Sequence, residues 1–590
     1  MGLLKQAYDT YEYNAHLVGQ QAEGKQPLCP LAHIVQNAQI TVELDGTGCF
    51  ITASAIDKDD TKTIIPATEK SASRTSGKVA HPLCEQVCYV SGQEPKLFSA
   101  YEKELGAWAD SEYSHPMLKT IRSYVQKKSL LSDLAAARVI ELDENGKLKD
   151  GKINGIDYEK CLIRWQVGGR RCWTSQELFN AFKAYYTAAM PGKRGLCMVS
   201  GEEDVIVSTH DKGIIPAINS AKLISANDSQ NFTYRGRFKD ASDACTVGYT
   251  ASQKAHKALR WLAENQGVSM GGRTFLCWNP QGHPVAQPTA LLELMGVDEP
   301  AHTPSDYYER LKKTLHGYRY GLPSDEGVVI AAFDAASTGR MALTYYSEMT
   351  RSDFHDRLEQ WYKTCCWPNG KFGIQTPPLL RTAHLIYGTQ RAGRVEADAR
   401  VVKETVQRLF RCMISGEPIP QDMVRRLVFN ASEPQRYEEN SRYALLHAAC
   451  AMVRKYRNDR AKKEEWTMEL DETKHDRSYQ YGRLIATMEL AERATYDASD
   501  GKRVPNAIKL ESRFFRAPES TAMMLHNAIR PYLNKMEPGL SNYYQKMIGK
   551  IMEELSKFPP EEMNLPLKDT YLMGYYLQRN ALYTKKTEEK

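Results

Sequence analysis

The side chains of this chain best suited to act on another molecule lie between Ala221 and Trp261. There Phe232, Tyr234 and Phe238 are interleaved with Arg235, Arg237 and Lys239. Flat rings that can stack on bases therefore alternate with cations that can neutralise phosphates. The same alternation fits a half-buried strand whose arginines face solvent. Further on, Ala251, Ala255, Ala258, Leu259 and Leu262 fall on one side of a helical repeat, and Lys254, Lys257 and Arg260 on the other. Thr250 stands where a helix cap would be expected.

A second candidate is the segment from Lys70 to Lys78. It sets Lys70, Arg74 and Lys78 among Ser71, Ser73, Thr75, Ser76 and Gly77, a loop rich in donors for phosphates or base edges. An ordinary solvated loop has the same composition. His81, Cys84 and Cys88 follow at helical spacing and could share a metal, but no fourth ligand is evident. A structural helix with two buried thiols is the expectation. Cys197, Glu202 and His210 come nearest to a catalytic or metal-binding set, as in a metal-dependent nuclease. Their spacing fits no zinc or protease signature, and a turn closed by Ser200 and Gly201 accounts for it equally well. Arg340 falls at the tip of an expected hairpin, GVVIAAFDAASTGRMALTYYSEM, as a further contact candidate.

The elements that must position these residues change character along the chain. The first half alternates: a helix over 3–18, strands in AQITVELDGTGCFITASAID with a DGTG turn between them, a strand in TKTIIPAT, helices from Phe98 to Ile140, a polar hairpin in DENGKLKDGKINGID, a strand in CLIRWQVGG and a helix in SQELFNAFKAYYTAAM. From about Asp353 the pattern is one amphipathic helix after another with short links. One of these ends in a basic run, Arg454, Lys455, Arg457, Arg460, Lys462 and Lys463, which reads as a solvated face beside a boundary. The fold class expected is α+β: an N-terminal mixed α/β region with antiparallel sheets, followed by a C-terminal all-helical bundle. Four parts are expected, 1–150, 151–352, 353–467 and 468–590, the last a bundle of four or five helices.

Composition narrows the function classes. The 590 residues carry a formal charge of +6, with 42% apolar and 25% charged residues. That describes a folded chain whose nucleic-acid surface, if it has one, must come from local clustering. Thirteen scattered cysteines without any CxxC read as reduced thiols, which implies a cytoplasmic location. The N-terminus has no signal-peptide pattern, and no apolar run is long enough to cross a membrane. There is no GxxxxGK[ST], no GxGxxG after a strand, no HExxH and no GxSxG, so no catalytic residues and no cofactor are expected and a binding or assembly role is.

Several stretches carry a resemblance. NFTYRGRF, ASQKAHKALRW, FDAASTGRMALTYY, SYQYGRLIATMELAE and MGYYLQRNALYTKK, in that order with RTSG and CMVSGEEDVIVSTH before them, resemble the large subunit (Csd family) of the type I-C CRISPR surveillance complex, Cascade. The resemblance implies a non-enzymatic, antiviral role. A subunit of this kind reads the protospacer-adjacent motif in double-stranded target DNA, assists duplex opening and R-loop formation, lies near the 5′ handle of the crRNA, and offers a docking surface to the helicase-nuclease. The partners implied are crRNA, target DNA, the backbone and handle-binding subunits, and small subunits made separately from the C-terminal region, with no membrane. Met468 is the expected internal start, ahead of Met488 or Met452. With that role in view, Lys70 to Lys78 becomes the first candidate for the motif reader. Tyr234, Arg235, Arg237, Lys254 and Lys257 are second, for RNA or strand contacts. A scaffold that binds only proteins is the competing reading.

Overall fold

A computed structural model describes the chain except for residues 1, 23, 75–78, 219, 225–236, 240, 290, 292–299, 320–321, 338, 462–464, 498–502 and 589–590. It divides into two compact units. The first comprises Met1–Ser269, Arg273–Val285 and Gly327–Glu348, and the second Met270–Gly272, Ala286–Glu326 and Met349–Lys590.

The first unit begins with helix α1 (Leu3–Tyr13). Strand β1 (His33–Asn37) pairs antiparallel with β4 (Lys62–Pro66), and the hairpin of β2 (Ile40–Leu44) and β3 (Phe50–Ala55) comes between them in sequence. The DGTG turn forms as its residues dictate: the Asp45 carboxylate accepts the amides of Thr47 and Cys49, each at 2.8 Å, and Gly48 takes φ +88°. The polar hairpin is present as β5 (Lys152–Ile153) and β6 (Ile156–Asp157). Strand β7 (Ile163–Val167) then enters beside β2 in parallel and is followed by β8 (Arg170–Arg171), giving the order β3-β2-β7-β8.

Among the described residues, five helices connect β4 to this point: α2 (Glu69–Ser73), α3 (Val87–Val90), α4 (Pro95–Ala109), α5 (Pro116–Gln126) and α6 (Leu130–Ala136). Val42, Leu44, Tyr101, Trp108, Ile121, Tyr124, Leu134 and Trp165 share one core. The polar ends of its rings are satisfied: Tyr101 Oη and Trp165 Nε1 both donate to the carbonyl of Leu83, at 2.6 and 3.0 Å.

Helix α7 (Gln176–Ala188) starts at Ser175, whose hydroxyl accepts from the Leu178 amide. A hairpin of β9 (Arg194–Leu196) and β10 (Glu203–Val205) follows, then α8 (Ala241–Ala244) and α9 (Tyr249–Gln266). The unit closes with a sheet of β11 (Val268–Met270), β12 (Arg273–Trp278), β13 (Gly327–Ser337) and β14 (Arg340–Thr350) in that order.

Two local expectations need correction. His81, Cys84 and Cys88 do not share a helix, because only Val87–Val90 is helical. His81 sits instead in an irregular segment, its Nδ1 3.0 Å from the Ser71 hydroxyl. Thr250 does not cap α9: Gly248 holds the cap position, and the Asp204 carboxylate accepts the Thr250 amide at 2.7 Å. A carboxylate beside the positive end of a helix does the capping better than a hydroxyl within it.

The second unit is helical almost throughout: α10 (Pro304–Arg319), α11 (Arg351–Thr364), α12 (Leu379–Tyr387), α13 (Ala399–Ser415), α14 (Gln421–Ala431), α15 (Glu439–Asn458), α16 (Arg477–Arg493), α17 (Asn506–Arg516), α18 (Pro518–Lys535), α19 (Pro538–Leu555) and α20 (Thr570–Glu588). Helix α16 is its axis, buried at every position from Ser478 to Glu492. It meets α20 through reciprocal glycines. A Cβ on Gly482 would lie 1.9 Å from the Tyr571 carbonyl oxygen, and one on Gly574 2.1 Å from that of Tyr479. Only glycine lets two backbones come this close.

The basic run that ends α15 is solvated only in part: Arg460 is exposed as expected, Lys462 and Lys463 lie outside the described residues, and the three cations before them are engaged. Arg454 is 2% exposed and donates to the carbonyls of Trp466 and Lys363 at 2.8 and 3.0 Å. Lys455 is buried against Asp459, 3.1 Å away, and Arg457 pairs with Asp569. Long cations here satisfy backbone carbonyls and carboxylates inside the unit.

A candidate nucleic-acid interface

Helix α2 carries the first candidate segment. Thr68 and Ser71 form a reciprocal cap, with Ser71 N donating to Thr68 Oγ1 at 3.1 Å and Thr68 N to Ser71 Oγ at 2.9 Å. The Tyr186 hydroxyl of α7 accepts the Glu69 amide at 2.9 Å. Lys70 is exposed on this short, firmly held helix.

Arg74 has a different task. Its guanidinium grips Glu85 with two nitrogens at 2.5 and 2.8 Å, also donates to the Val79 carbonyl at 2.6 Å, and lies 5.2 Å from the Tyr89 ring centre. Glu85 is fully buried and accepts the amides of His81 and Gln86 as well. Arg74 and Val79 thus clamp the base of the loop, while Ser76 and Lys78 lie outside the described residues.

A second group of cations was missed in the sequence. Lys212 forms an antiparallel bridge with Lys222, and Lys222 a parallel one with Arg340. The Lys222 amide donates to Gly339 and its carbonyl accepts from Met341, both at 3.0 Å. Directly bridged residues point to one side of a sheet with Cβ atoms about 5 Å apart, so three cations stand in a row. Burial pushes the Lys222 ammonium below its ordinary value, Glu69 and Asp211 push it up, and Lys212 adds to the lowering. A row of like charges is unfavourable alone and favourable against a polyanion. Periodicity gives no hint of it, because single bridges join segments far apart in sequence.

Lys212 and Lys222 also line a cleft of about 330 Å³, together with Glu69 and Ser73 of α2. Helix α2 and the two lysines of the row therefore border one feature. Arg340 is exposed at the tip of the β13–β14 hairpin, where the sequence put it.

The remaining candidates divide. Tyr234 and Arg235 lie outside the described residues. Arg237 is exposed, with its guanidinium 5.2 Å from the centre of the exposed Phe238 ring. Lys254 is paired with Glu12 and sits over the Tyr8 ring. Lys257 is 6% exposed, donates to the His33 carbonyl and faces Asp211 at 3.7 Å. Both lysines are engaged in packing α9. Met468 is 7% exposed, its sulfur 3.8 Å from that of Cys366.

Cys197, Glu202 and His210 are not assembled. The Cys197 sulfur accepts the Val199 and Gly248 amides at 3.4 and 3.2 Å. Burial raises this thiol's pKa, and hydrogen bonds from Ser200, Gly248 and Val199 outweigh it to leave it below the ordinary value. The Glu202 side chain is exposed on the turn, and His210 turns to the Ser252 hydroxyl at 2.8 Å. Among the described residues no three His, Cys, Asp or Glu side chains are placed to hold a metal ion, and no helix is long and apolar enough to cross a membrane.

No curated protein matches the chain. A family model described as CRISPR-associated protein (Cas_Csd1) matches residues 8–583. With nearly its whole length covered, the chain belongs to the Csd1 family of CRISPR-associated proteins.

Proposed function

We propose that the chain is the non-catalytic large subunit of a type I-C Cascade, which reads the protospacer-adjacent motif in double-stranded DNA and helps open the duplex beside it. The observation that carries this reading is the Lys212–Lys222–Arg340 row, whose two lysines line the same cleft as α2. A row of cations fixes a duplex by its phosphates and carries no sequence information, while an adjacent loop of small polar residues can reach base edges. Guide pairing reads the rest of the target, so a few base contacts suffice. The row and the exposed Arg237 also suit contacts to the crRNA handle. In the same reading, 468–590 is the small-subunit-like bundle made separately from Met468, and the helicase-nuclease docks on the assembled complex in the cytoplasm.

The test is binding of a duplex library, randomised beside one fixed target, by the chain reconstituted with guide RNA and backbone subunits. Enrichment of one motif of about two to four bases, lost on Lys70→Ala with Lys78→Ala, supports the reading. Arg74 is a poor choice for that test because removing it strips the buried Glu85 of its partner. Binding without enrichment leaves a generic DNA-binding scaffold, and no salt-dependent DNA affinity leaves one that binds only proteins.

A further inference from the structure

The cleft beside α2 holds three histidines, His33, His210 and His256, which are 1%, 3% and 1% exposed. All three rings are held by Nδ1. His33 Nδ1 lies 2.8 Å from the Leu31 carbonyl, His256 Nδ1 2.7 Å from the Ser252 carbonyl, and His210 Nδ1 2.8 Å from the Ser252 hydroxyl. A ring nitrogen facing a carbonyl must carry the proton, so Nε2 of a neutral His33 or His256 is a bare acceptor. Burial keeps the rings neutral: it pushes His33 and His210 down to about 3 and lowers His256 as well. In all three, Nε2 is buried and has no hydrogen-bond partner among the described residues. His210 and His256 are stacked, with ring centres 5.7 Å apart.

Each buried acceptor left unpaired has lost its hydrogen bond to water and gained none in return. Such acceptors among the side chains of one cleft, His33 and His256, are a standing cost that an occupant with hydrogen-bond donors would remove. The cleft also presents Lys212 and Lys222, which call for an anion. A metal ion is not indicated, since no three ligands are suitably placed among the described residues. An inorganic anion would satisfy the lysines and leave the histidines unpaired. One chemical unit supplies both needs: a nucleotide, with amino, ring N–H or hydroxyl donors at one end and a phosphate at the other. The volume, about 330 Å³, is that of a small-molecule pocket.

We propose that this cleft captures a single unstacked nucleotide, its phosphate held by Lys212 and Lys222 and a base or sugar donor meeting Nε2 of His256. This deepens the nucleic-acid reading of the same region and rests on it. A strand that gives up one base there loses its stacking, at least cost where the duplex is already open. Capture of that base would hold an opened strand apart, which backbone contacts alone do not do.

The test uses the full chain, first with free nucleoside monophosphates by equilibrium dialysis. Short single-stranded oligonucleotides carrying a fluorescent base analogue follow. Saturable binding of monophosphates, with inorganic phosphate a poor competitor, supports the proposal. Competition by oligonucleotides assigns the nucleotide to a strand, and its absence assigns it to a free nucleotide. His256→Phe removes an acceptor and keeps a ring, and it should weaken nucleotide binding about tenfold, the worth of one such hydrogen bond. Lys212→Glu should weaken it as much, and serves where the buried variant fails to fold. Arg340→Glu, outside the cleft lining, should leave it unchanged while weakening duplex binding. Phosphate binding as tightly as nucleotides, or nucleotides failing to bind at all, overturns the proposal. If salt-dependent duplex affinity survives that failure, the interface stands without the pocket. If it is lost as well, both readings fall.

Discussion

Around Gly482 and Gly574 the second unit buries charge in pairs. Arg483 meets Gln578 and Gln480, each at 2.9 Å, Glu489 takes Arg493 at 2.6 Å and the Tyr575 hydroxyl, and Glu492 takes Tyr496 and the Asn506 amide at 2.8 Å. In the cleft of the first unit, three histidines are buried with one nitrogen each left over, and two lysines share a row with Arg340. A network of this first kind makes for one rigid packing, with only single atoms such as Tyr571 Oη and Arg579 Nε left unpaired beside it among the described residues. Unspent acceptors beside aligned like charges are what a binding surface retains at the expense of stability.

The largest effect should come from the glycine crossing. Gly482→Ala or Gly574→Ala sets a methyl group against a backbone carbonyl that cannot move alone, at a cost of at least about 3 kcal/mol in denaturant unfolding. An unchanged unfolding midpoint would mean that α16 and α20 are not as close as described. Next comes Arg74→Ala, which strands the buried Glu85 and should cost about 3 kcal/mol, while the exposed Lys70→Ala should be within about 0.5. Adding Glu85→Gln to Arg74→Ala should recover part of the loss. Equal effects of Arg74→Ala and Lys70→Ala on stability would remove the distinction between clamp and reader.

Arg340→Glu should leave the melting temperature alone and weaken duplex binding about tenfold, with a shallower dependence on salt. A lowered melting temperature with intact binding would turn the row into a structural feature. The smallest effect is one of pH. Glu511 is 3% exposed, and burial first, then Glu489, pushes its carboxyl up to about 8. The folded chain then keeps a proton that the unfolded chain gives up near 4.5. This contribution to stability is complete below that pH and is lost as pH rises through about 8. Glu511→Gln should flatten the slope and make the variant the more stable form at pH 8, measured by thermal melts across that range.

Local chemistry was legible in the sequence. The DGTG turn, the helix in SQELFNAFKAYYTAAM, the glycine-tipped β13–β14 hairpin and the helical second half all follow from neighbouring residues. What depended on distant partners was not. Arg454 and Lys455 read as solvated because charge usually is, and nothing nearby in sequence announces the carbonyls of Lys363 and Trp466 that hold Arg454 inside. Lys257 lay on the expected polar side of α9, yet reaches the His33 carbonyl 224 residues away in sequence. The basic row was illegible for the same reason. Arg340 alone was marked, because a hairpin tip is a local feature, and its neighbours Lys212 and Lys222 arrive by tertiary pairing.

The central claim is that the row meets phosphates, and its most direct test is the salt dependence of duplex affinity. The chain with Lys212, Lys222 and Arg340 all replaced by alanine would be compared with the native chain in the reconstituted complex. Each phosphate that is no longer neutralised lowers the slope of log affinity against log salt by about 0.9, so the three replacements should lower it by roughly 2 to 3. The same slope and the same affinity in both would contradict the account.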